Sequence, residues 1–499
     1  MTQLTITNLT QIQRGQTLFK ITRLSAQTGD RIGLIGRNGV GKSTLAKLIC
    51  GVDSASTGRI NVDSAVTYVP QMVATHDKSG GQAEFQRIRT ALMAHPAALI
   101  LDEPSANLDE NHQAQLIKEL QQYPGLLIVI SHDRHLLNAV ATRIWALKEQ
   151  HVTVFEGNFE QYQDWANHRY QQQLTDYERD RRQHHRLQAT VNERKNKANQ
   201  IRQGKGMTRK ERGNGRSLLE KTAGKMERNA KKLAKRADRQ VTPEKPFEDQ
   251  GIKVMATDLP PFTGKTVVSV RHLTLSRGTQ RLLRNANVTV KPGERVAITG
   301  PNGSGKTTLL HRIVTREDGI HLSDSAQIGY FQQDLTELTG SLTVLQTVLA
   351  HTKLDENRVR QVMGALGLPA QFYDQPVHSL SGGELVKVQL VQVITGNYNV
   401  LILDEPTNFL DMSAIGALQN FLSAYPGTVI FVSHDMSFRE AVATRELSIQ
   451  NQQLIDPTLT AVDDTLSADQ TMLRFKIDQM MLAEEVDWDE IRRLRKMMK

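Results

Sequence analysis

Two copies of the pattern G-x-x-x-x-G-K-[ST] mark this sequence, and the pattern is typical of phosphate-binding loops. The copies are GRNGVGKST (36–44) and GPNGSGKTT (300–308). Their glycines let successive backbone N–H groups converge on phosphate oxygens at a helix start, where the helix dipole also favours an anion. We expect Lys42 and Lys306 to reach the β- and γ-phosphates of a nucleotide. The predicted nucleotide-binding residues of the loops are Gly36, Asn38, Gly39, Gly41, Lys42, Ser43, Thr44, Gly300, Asn302, Gly303, Gly305, Lys306, Thr307 and Thr308.

Four further motifs recur after each loop, in the same order. The pairs are TYVPQ (67–71) with GYFQQ (329–333), SGGQ (79–82) with SGGE (381–384), LILDEPSANLD (99–109) with LILDEPTNFLD (401–411), and IVISHD (128–133) with IFVSHD (430–435). A shared order of this kind is the signature of an internal repeat. The chain therefore carries two nucleotide-binding halves.

Carboxylates end an apolar run in each half. The runs ALILDEP and VLILDEP indicate buried parallel strands. Asp102 and Asp404 are placed to hold a metal ion, partly through water. Glu103 and Glu405 follow directly, where a carboxylate can act as general base on an attacking water. The pattern thus predicts metal-assisted hydrolysis of a nucleotide in both halves.

Glutamine and histidine complete each predicted site. Gln71 and Gln333 follow strand-like segments and can bridge the metal and the water. His132 and His434 each end a strand-like run and can contact the γ-phosphate by a hydrogen bond. A single histidine after a strand is usually ordinary, but its duplication in register favours a catalytic role. The predicted Mg²⁺ ligands are Ser43, Thr307, Gln71, Gln333, Asp102 and Asp404.

Strands and helices of an α/β fold must position these groups. RIGLI (31–35) and RVAIT (295–299) predict strands before the loops, and helix-like runs follow both loops. The second half has about 40 more residues between its glutamine and its SGG motif, and these predict two or three helices. We therefore expect a reduced helical subdomain in the first half.

The positive charge lies in one segment between the halves. The chain has 499 residues and a net charge of +9, whereas residues 169–240 alone have 22 Lys+Arg against eight Asp+Glu. Their net charge is +14, so the remainder of the chain is at −5. The segment contains only two aromatic residues and cannot build a globular core of its own.

Small and apolar residues recur in this segment at helical spacing. The two series are Leu187, Val191, Ala198 and Ile201, and Leu219, Ala223, Met226, Ala230, Leu233 and Ala237. Between them, residues 201–217 contain four glycines, which interrupt a helix. The pattern predicts an antiparallel helical hairpin with a basic tip, and a solvated charged linker is the alternative.

Composition excludes several classes of protein. A single cysteine, Cys50, rules out a disulfide framework and a multi-thiolate metal site. No run approaches the roughly 18 apolar residues of a membrane span, and the N-terminal residues lack a signal-peptide core. We therefore expect no membrane partner.

Taken together, these motifs resemble those of the ATP-binding cassette superfamily, and the tandem halves with a charged linker look like its ABC-F subfamily. The resemblance covers roughly residues 1–455. It implies two tandem ATPase domains that sandwich two ATP molecules, with Mg²⁺, between the halves of a monomer. Site one would pair the first loop with Ser381, Gly382, Gly383 and Glu384, and site two the second loop with Ser79, Gly80, Gly81 and Gln82.

Members of the subfamily act on the ribosome, so the resemblance also implies a partner and a location. We expect a cytoplasmic, ribosome-associated ATPase that binds near the tRNA exit site, contacts 23S rRNA of the large subunit and P-site tRNA, and directs its linker towards the peptidyl-transferase centre. The details look most like the antibiotic-resistance branch, which dislodges macrolides, lincosamides, streptogramins or pleuromutilins. The candidate rRNA contacts are Arg202, Lys205, Arg209, Lys210, Arg212 and Arg216.

Other functions stay open at this point. A housekeeping translation factor is the nearest alternative, because the predicted tip looks short for a resistance protein. An ATPase subunit of a membrane transporter and a DNA-repair ATPase are more remote. The expected domains are a first cassette (1–157), a helical linker (158–262, tip about 201–217), a second cassette (263–455) and a helical C-terminal extension (456–499).

Overall fold

The computed structural model describes residues 3–13, 15–71, 80–106, 108–202, 216–239, 259–278, 280–332 and 342–456. It divides into two compact units, Met1–Phe159 with Asp249–Lys499, and Glu160–Glu248. The first unit contains both halves of the repeat. No helix within the described ranges is long and apolar enough to cross a membrane.

The first half alternates strands and helices after an antiparallel start. Its elements are β1 (Gln3–Gln13), β2 (Gln16–Gln27), β3 (Arg31–Gly36), α1 (Lys42–Ile49), β4 (Thr57–Val62), β5 (Val66–Val69), α2 (Gly80–Met93), β6 (Ala98–Asp102), α3 (Glu110–Gln121), β7 (Leu126–Ile130), α4 (Arg134–Val140), β8 (Arg143–Lys148) and β9 (His151–Glu156). The strands before and after the first phosphate-binding loop are where the sequence predicts them.

Two long helices form the second unit, in the basic segment. They are α5 (Phe159–Arg202) and α6 (Arg216–Arg239). Val191 and Ala198 of α5 are at most 6% exposed, and Ala223 and Ala230 of α6 are fully buried. Since a lone helix cannot bury its own side chains, these small residues form the packed seam of a helical hairpin. Both helices lie within the linker predicted from the sequence, and the bounds of that linker stay a prediction.

The second half repeats the order of the first. Its elements are β10 (Val268–Arg277), β11 (Gln280–Val290), β12 (Arg295–Thr299), α7 (Lys306–Thr315), β13 (Ile320–Leu322), β14 (Ile328–Phe331), α8 (Val344–Leu349), α9 (Glu356–Ala365), α10 (Gly382–Thr395), β15 (Val400–Asp404), α11 (Met412–Ala424), β16 (Thr428–Val432), α12 (Met436–Val442), β17 (Arg445–Gln450) and β18 (Gln453–Ile455). Short 3-10 helices at Ala370–Phe372 and Val377–Ser379 lie between α9 and α10.

A mostly parallel sheet forms the centre of each half. The strand orders are β5-β6-β7-β3-β8-β9 and β14-β15-β16-β12-β17-β18, and in each sheet only the last pair is antiparallel among the described strands. A smaller antiparallel sheet covers one face, with the orders β2-β1-β4 and β11-β10-β13. The fold is therefore α/β with two tandem P-loop ATPase domains, as predicted.

The central strands are buried along their whole length because both faces of each sheet are covered. Every residue of β6, β7, β15 and β16 is buried. One apolar core lies between the two sheets of a half, and another lies between the large sheet and its helices. Near-continuous apolar runs are typical of such strands, and this arrangement brings the polar residues after each strand to a common edge.

The interval before the SGG motif differs between the halves. In the second half it holds α8 and α9, which begin with capping residues Thr343 and Asp355. Both caps accept a hydrogen bond from a backbone N–H group of the first turn, which is how short helices are commonly started. In the first half the corresponding residues, 72–79, lie outside the described ranges, as does the predicted C-terminal extension beyond residue 456.

Candidate functional site

Each phosphate-binding loop joins the end of a central strand to the start of a helix. The first loop leads from β3 to α1 and the second from β12 to α7. Gly41 and Gly305 precede these helices with φ of 102° and 103°, in the left-handed region that side chains rarely adopt. A Cβ at Gly41 would also lie 2.8 Å from the ring of Phe19. Local backbone conformation therefore explains why glycine stands at these two positions.

Two buried lysines begin these helices and reach back over their own loops. Lys42 Nζ donates to Gly36 O at 2.7 Å, and Lys306 Nζ donates to Gly300 O at 2.8 Å. Burial lowers the pKa of both ammonium groups. The remaining predicted residues of the loops occupy the same turns and the first turn of each helix; they are Asn38, Gly39, Ser43, Thr44, Asn302, Gly303, Thr307 and Thr308.

The two predicted general bases occupy equivalent, largely buried positions. Glu103 and Glu405 both have φ of 51°, an unusual backbone conformation for glutamate. Their side chains are 16% and 12% exposed. Burial raises the pKa of Glu103 to about 8 and that of Glu405 to about 7. Carboxyl groups with such pKa values can accept a proton from water near neutral pH.

A histidine lies beside each of these glutamates. The backbone N–H of His132 donates to Glu103 Oε2, and the backbone N–H of His434 donates to Glu405 Oε2, both at 3.2 Å. His132 Nε2 lies 3.1 Å from Lys42 Nζ, within the same site. Burial lowers the pKa of His132 to about 3 and that of His434 to about 4. Both imidazoles are therefore neutral at pH 7, where each can offer one N–H donor.

The aspartates that end β6 and β15 are surrounded by oxygen-bearing side chains. Tyr68 Oη donates to Asp102 Oδ2 at 2.9 Å. Burial raises the pKa of Asp404 to about 6, against a hydrogen bond from the Thr307 hydroxyl. Asp404 Oδ1 is buried and has no hydrogen-bond partner among the described residues. A hydroxyl beside an unpartnered carboxylate oxygen fits Mg²⁺, which takes one or two protein oxygens together with phosphates and water.

The glutamines are placed at the same sheet edge. Gln71 directly follows β5, and its side chain is exposed. Because β5 pairs in parallel with β6, Gln71 lies at the edge where β6 ends in Asp102. Gln333 lies outside the described residues. Within those residues no group of three or more His, Cys, Asp or Glu forms a metal cage.

One aspartate of each half contacts the phosphate-binding loop of the other half. Asp411 Oδ2 accepts from the Asn38 N–H, and Asp109 Oδ2 accepts from the Asn302 N–H, both at 3.2 Å. Their other oxygens cap α11 and α3. Although burial opposes it, these N–H groups hold the pKa of both aspartates below the ordinary value. Each carboxylate thus ties a helix start to the opposite loop.

The SGG motifs begin α10 and α2. In α10, Ser381 forms a capping box with Glu384, whose carboxylate accepts from the serine hydroxyl at 2.7 Å. Gly382 and Gly383 follow in the first turn. Gly80, Gly81 and Gln82 lie in the first turn of α2, and Ser79 lies outside the described residues.

Charged residues of each half also act on the predicted site of the other half. Lys387 of α10 is buried, and its charge lowers the pKa of both Lys42 and His132. In the other direction, burial lowers the pKa of Lys306 and of His434, and Asp109 of the first half partly opposes this lowering. Each predicted nucleotide site therefore has residues of both halves beside its phosphate-binding loop.

Sequence reasoning did not assign several of these residues. Asp109 and Asp411 belong to the repeated segments that end in Leu-Asp, and Tyr68 belongs to the repeated TYVPQ segment. Their recurrence in register was the signal that could have found them. The sequence does not predict which residues of the opposite half Asp109 and Asp411 contact, because these contacts join residues more than 190 positions apart.

Comparisons with known proteins agree with this geometry. The family model described as "ABC transporter" matches residues 19–74 and 283–408. The ribosome protection protein VmlR of Bacillus subtilis (strain 168) is 34% identical, over 90% of this chain and 86% of its own length. The erythromycin resistance ATP-binding protein MsrA of Staphylococcus epidermidis is 30% identical, over 88% of this chain and 96% of its own length.

Solved structures agree on the fold. The RNase-L Inhibitor structure matches with a TM-score of 0.58 over 90% of both chains, at 17% identity. This similarity concerns architecture alone, since the identity is low. The two relatives above match nearly end to end, and the nucleotide sites combine residues of both halves. On these grounds the chain belongs to the ABC-F subfamily of ATP-binding cassette proteins and is an ATP hydrolase.

Proposed function

We propose that this protein is a ribosome-associated ATPase that protects the ribosome from antibiotics. The observation that carries the proposal is the end-to-end similarity to two proteins named for ribosome protection and erythromycin resistance. In the ATP-bound, closed state it would bind near the tRNA exit site and contact 23S rRNA and P-site tRNA. Its linker would then reach towards the peptidyl-transferase centre and dislodge a bound drug.

The second unit supports this role by its length and charge. Helix α5 has 44 residues, which corresponds to about 66 Å of helix. The basic excess of the chain lies in residues 169–240. Lysine and arginine side chains bind the phosphate backbone of RNA without reading bases. The candidate contacts are Arg202 and Arg216 at the helix ends, and Lys205, Arg209, Lys210 and Arg212 outside the described residues.

ATP would be sandwiched between the halves in two composite sites. Site one would use the loop around Lys42, with Glu103 and His132, and the SGG motif at Ser381. Site two would use the loop around Lys306, with Glu405 and His434, and the SGG motif at Ser79. The intramolecular contacts of Asp109 and Asp411 support pairing of the halves within a monomer.

In each site the protein would position the reactants and move one proton. The loop N–H groups and the lysine hold the β- and γ-phosphates, and the neutral histidine donates to the γ-phosphate. The buried glutamate orients the attacking water and accepts its proton. Mg²⁺, held through Ser43 and Asp102 or Thr307 and Asp404, would neutralise the phosphate charge. Gln71 and Gln333 would orient the metal and the water.

Drug susceptibility tests the proposed function. A susceptible bacterial strain that expresses this protein should tolerate higher concentrations of at least one drug of the macrolide, lincosamide, streptogramin or pleuromutilin classes. Glu103→Gln with Glu405→Gln should retain ATP, stay on the ribosome and give no protection. A matched control is Glu356→Gln, an exposed glutamate of α9 outside both sites. Unchanged susceptibility to all four classes, with ribosome binding intact, would favour the housekeeping translation factor instead.

A further inference from the structure

Among the residues that the structure describes, one ion pair between the halves has no counterpart at the equivalent positions of the repeat. The Arg439 guanidinium forms an ion pair with the Glu110 carboxylate, which joins α12 of the second half to α3 of the first. The Arg439 side chain is 6% exposed, whereas that of Glu110 is 48% exposed. If the halves separated, the buried charge of Arg439 would lose its partner. The ion pair therefore stabilises the contact between the halves.

The same guanidinium also anchors the segment that carries a predicted catalytic histidine. Arg439 Nη1 donates to Ser433 O at 3.0 Å, and Ser433 directly precedes His434. A planar guanidinium can serve two acceptors at once in a fixed geometry. Arg439 therefore connects Glu110, on one half, to the strand end that holds His434 on the other.

Each predicted site has its own interface between the halves, which we call a seam: one includes the Asp411–Asn38 contact and the other the Asp109–Asn302 contact. The positions equivalent to Arg439 and Glu110 in the site-one seam are apolar. The repeat offset of 302 residues aligns Arg439 with Leu137 and Glu110 with Met412. Leu137 is 1% exposed in the core of the first half. Leucine and methionine cannot form an ion pair there, although the Asp109 and Asp411 contacts of the two seams are alike. The difference between the seams thus concerns this pair.

Charge at this seam reaches the catalytic groups of site two. Arg439 opposes the effect of burial on the pKa of Glu405. Burial lowers the pKa of His434; Arg439 adds to this effect and Glu110 opposes it. At the equivalent positions of the other seam, Leu137 and Met412 carry no charge that could act on Glu103. The hydrogen bond from Arg439 to Ser433 O, one residue before His434, joins the pair to site two.

We infer that Arg439 is a positioning residue for ATP hydrolysis at site two, which it aligns through Ser433 only while Glu110 of the first half pairs with it. The inference rests on the proposed ATP sandwich. Opening the halves breaks the pair, so site two loses its alignment on opening. At site one the equivalent described residues, Leu137 and Met412, form no such pair. Because the pair must break before the halves separate at site two, this site also retains its nucleotide longer than site one.

Single-site backgrounds test the inference. Arg439→Leu should lower kcat about tenfold in the Glu103→Gln protein, where site two hydrolyses, with a KM for ATP changed by less than about twofold. In the Glu405→Gln protein, where site one hydrolyses, the same change should alter kcat by less than about twofold. Arg360→Leu, which removes an arginine from an ion pair within α9, is the matched control. Equal losses in both backgrounds, or no loss, would overturn the inference.

A double-mutant cycle separates the pair from a packing effect. Glu110→Met spares the buried arginine and should give a similar loss at site two. Arg439→Leu with Glu110→Met copies the Leu137 and Met412 arrangement and should cost no more than either single change. Additive losses would contradict a coupled pair. Arg439→Lys keeps the charge but loses the planar fork that serves two acceptors in a fixed geometry, so it should fall between the wild type and Arg439→Leu.

Release of bound nucleotide gives a readout without hydrolysis. In the Glu103→Gln, Glu405→Gln protein, radiolabelled ATP should leave in two phases, and Arg439→Leu should accelerate the slower phase about tenfold. Two retained ATP molecules with unchanged release rates would reject the role of Arg439 but preserve the ATP sandwich. Retention of no ATP would instead reject the proposed function of the two sites.

Discussion

Buried carboxyl groups set the pH response of this protein. Glu103 and Glu405 are removed from water at the ends of β6 and β15, and burial raises the pKa of both above the ordinary range. A general base must be ionised before it can accept a proton. Below its pKa, the ionised fraction falls about tenfold for each pH unit. ATP hydrolysis should therefore be lost on the acidic side of neutrality.

We expect kcat/KM for ATP to rise with pH between about 6 and 8, since this parameter reports the free enzyme. The Glu103→Gln protein, which depends on Glu405 with a pKa of about 7, should reach its plateau at lower pH. The Glu405→Gln protein depends on Glu103, with a pKa of about 8, and should need higher pH. Steady-state rates over this range check the prediction. A flat profile in both proteins would show that neither glutamate is the base.

Small side chains determine how closely the two helices of the second unit can approach. Ala223 and Ala230 of α6 are fully buried, and Val191 and Ala198 of α5 are nearly so. Most other side chains of α5 are exposed, and many are charged. The hairpin therefore depends on a narrow seam rather than on a wide core, and it has little capacity to absorb a larger side chain.

Ala230→Leu should separate the helices of the hairpin at a cost of about 1–3 kcal/mol, because there is no space for the added atoms. Hydrogen exchange of the α5 and α6 amides should become faster, while exchange in the central sheets should stay the same. Asn229→Leu, at the neighbouring exposed position, is the control and should leave exchange unchanged. Equal protection of these amides from exchange in both variants would contradict close packing of the helices at Ala230.

The distribution of charge is a property of the whole molecule. The net charge of +9 conceals a segment at +14 and a remainder at −5. Contacts between basic side chains and RNA phosphates release counterions, so affinity falls with salt according to the number of phosphates bound. The salt dependence of ribosome binding therefore measures how far the second unit contributes.

Changing Arg202, Lys205, Arg209, Lys210, Arg212 and Arg216 to Gln should weaken ribosome binding and flatten its salt dependence. The slope of log K against log salt should fall by roughly 0.7–0.9 for each phosphate that the protein no longer neutralises. Ribosome co-sedimentation of the Glu103→Gln, Glu405→Gln protein at several salt concentrations measures it. Gln replacements at Arg59, Lys118 and Arg271, exposed on the two halves, are the control. Equal slopes for both sets of variants would contradict phosphate contacts by the six basic residues of the tip.

The repeat made most of the fold predictable. Strand-like runs before each loop became β3 and β12, and the ALILDEP and VLILDEP runs became β6 and β15. These segments are apolar along their length because they are buried on both faces, so pattern alone identifies them. The spacing of small residues likewise predicted the packed faces of α5 and α6. The assigned roles of individual site residues stay predictions.

By itself, the sequence determined the types of the nucleotide-site residues, the two-half organisation and the basic segment, because each is encoded locally. Only the tertiary structure decided which residues of one half meet the other. The contacts of Asp109 with Asn302 and of Glu110 with Arg439 join positions hundreds of residues apart. No local pattern encodes them, since they form where the loop edges of the two large sheets meet.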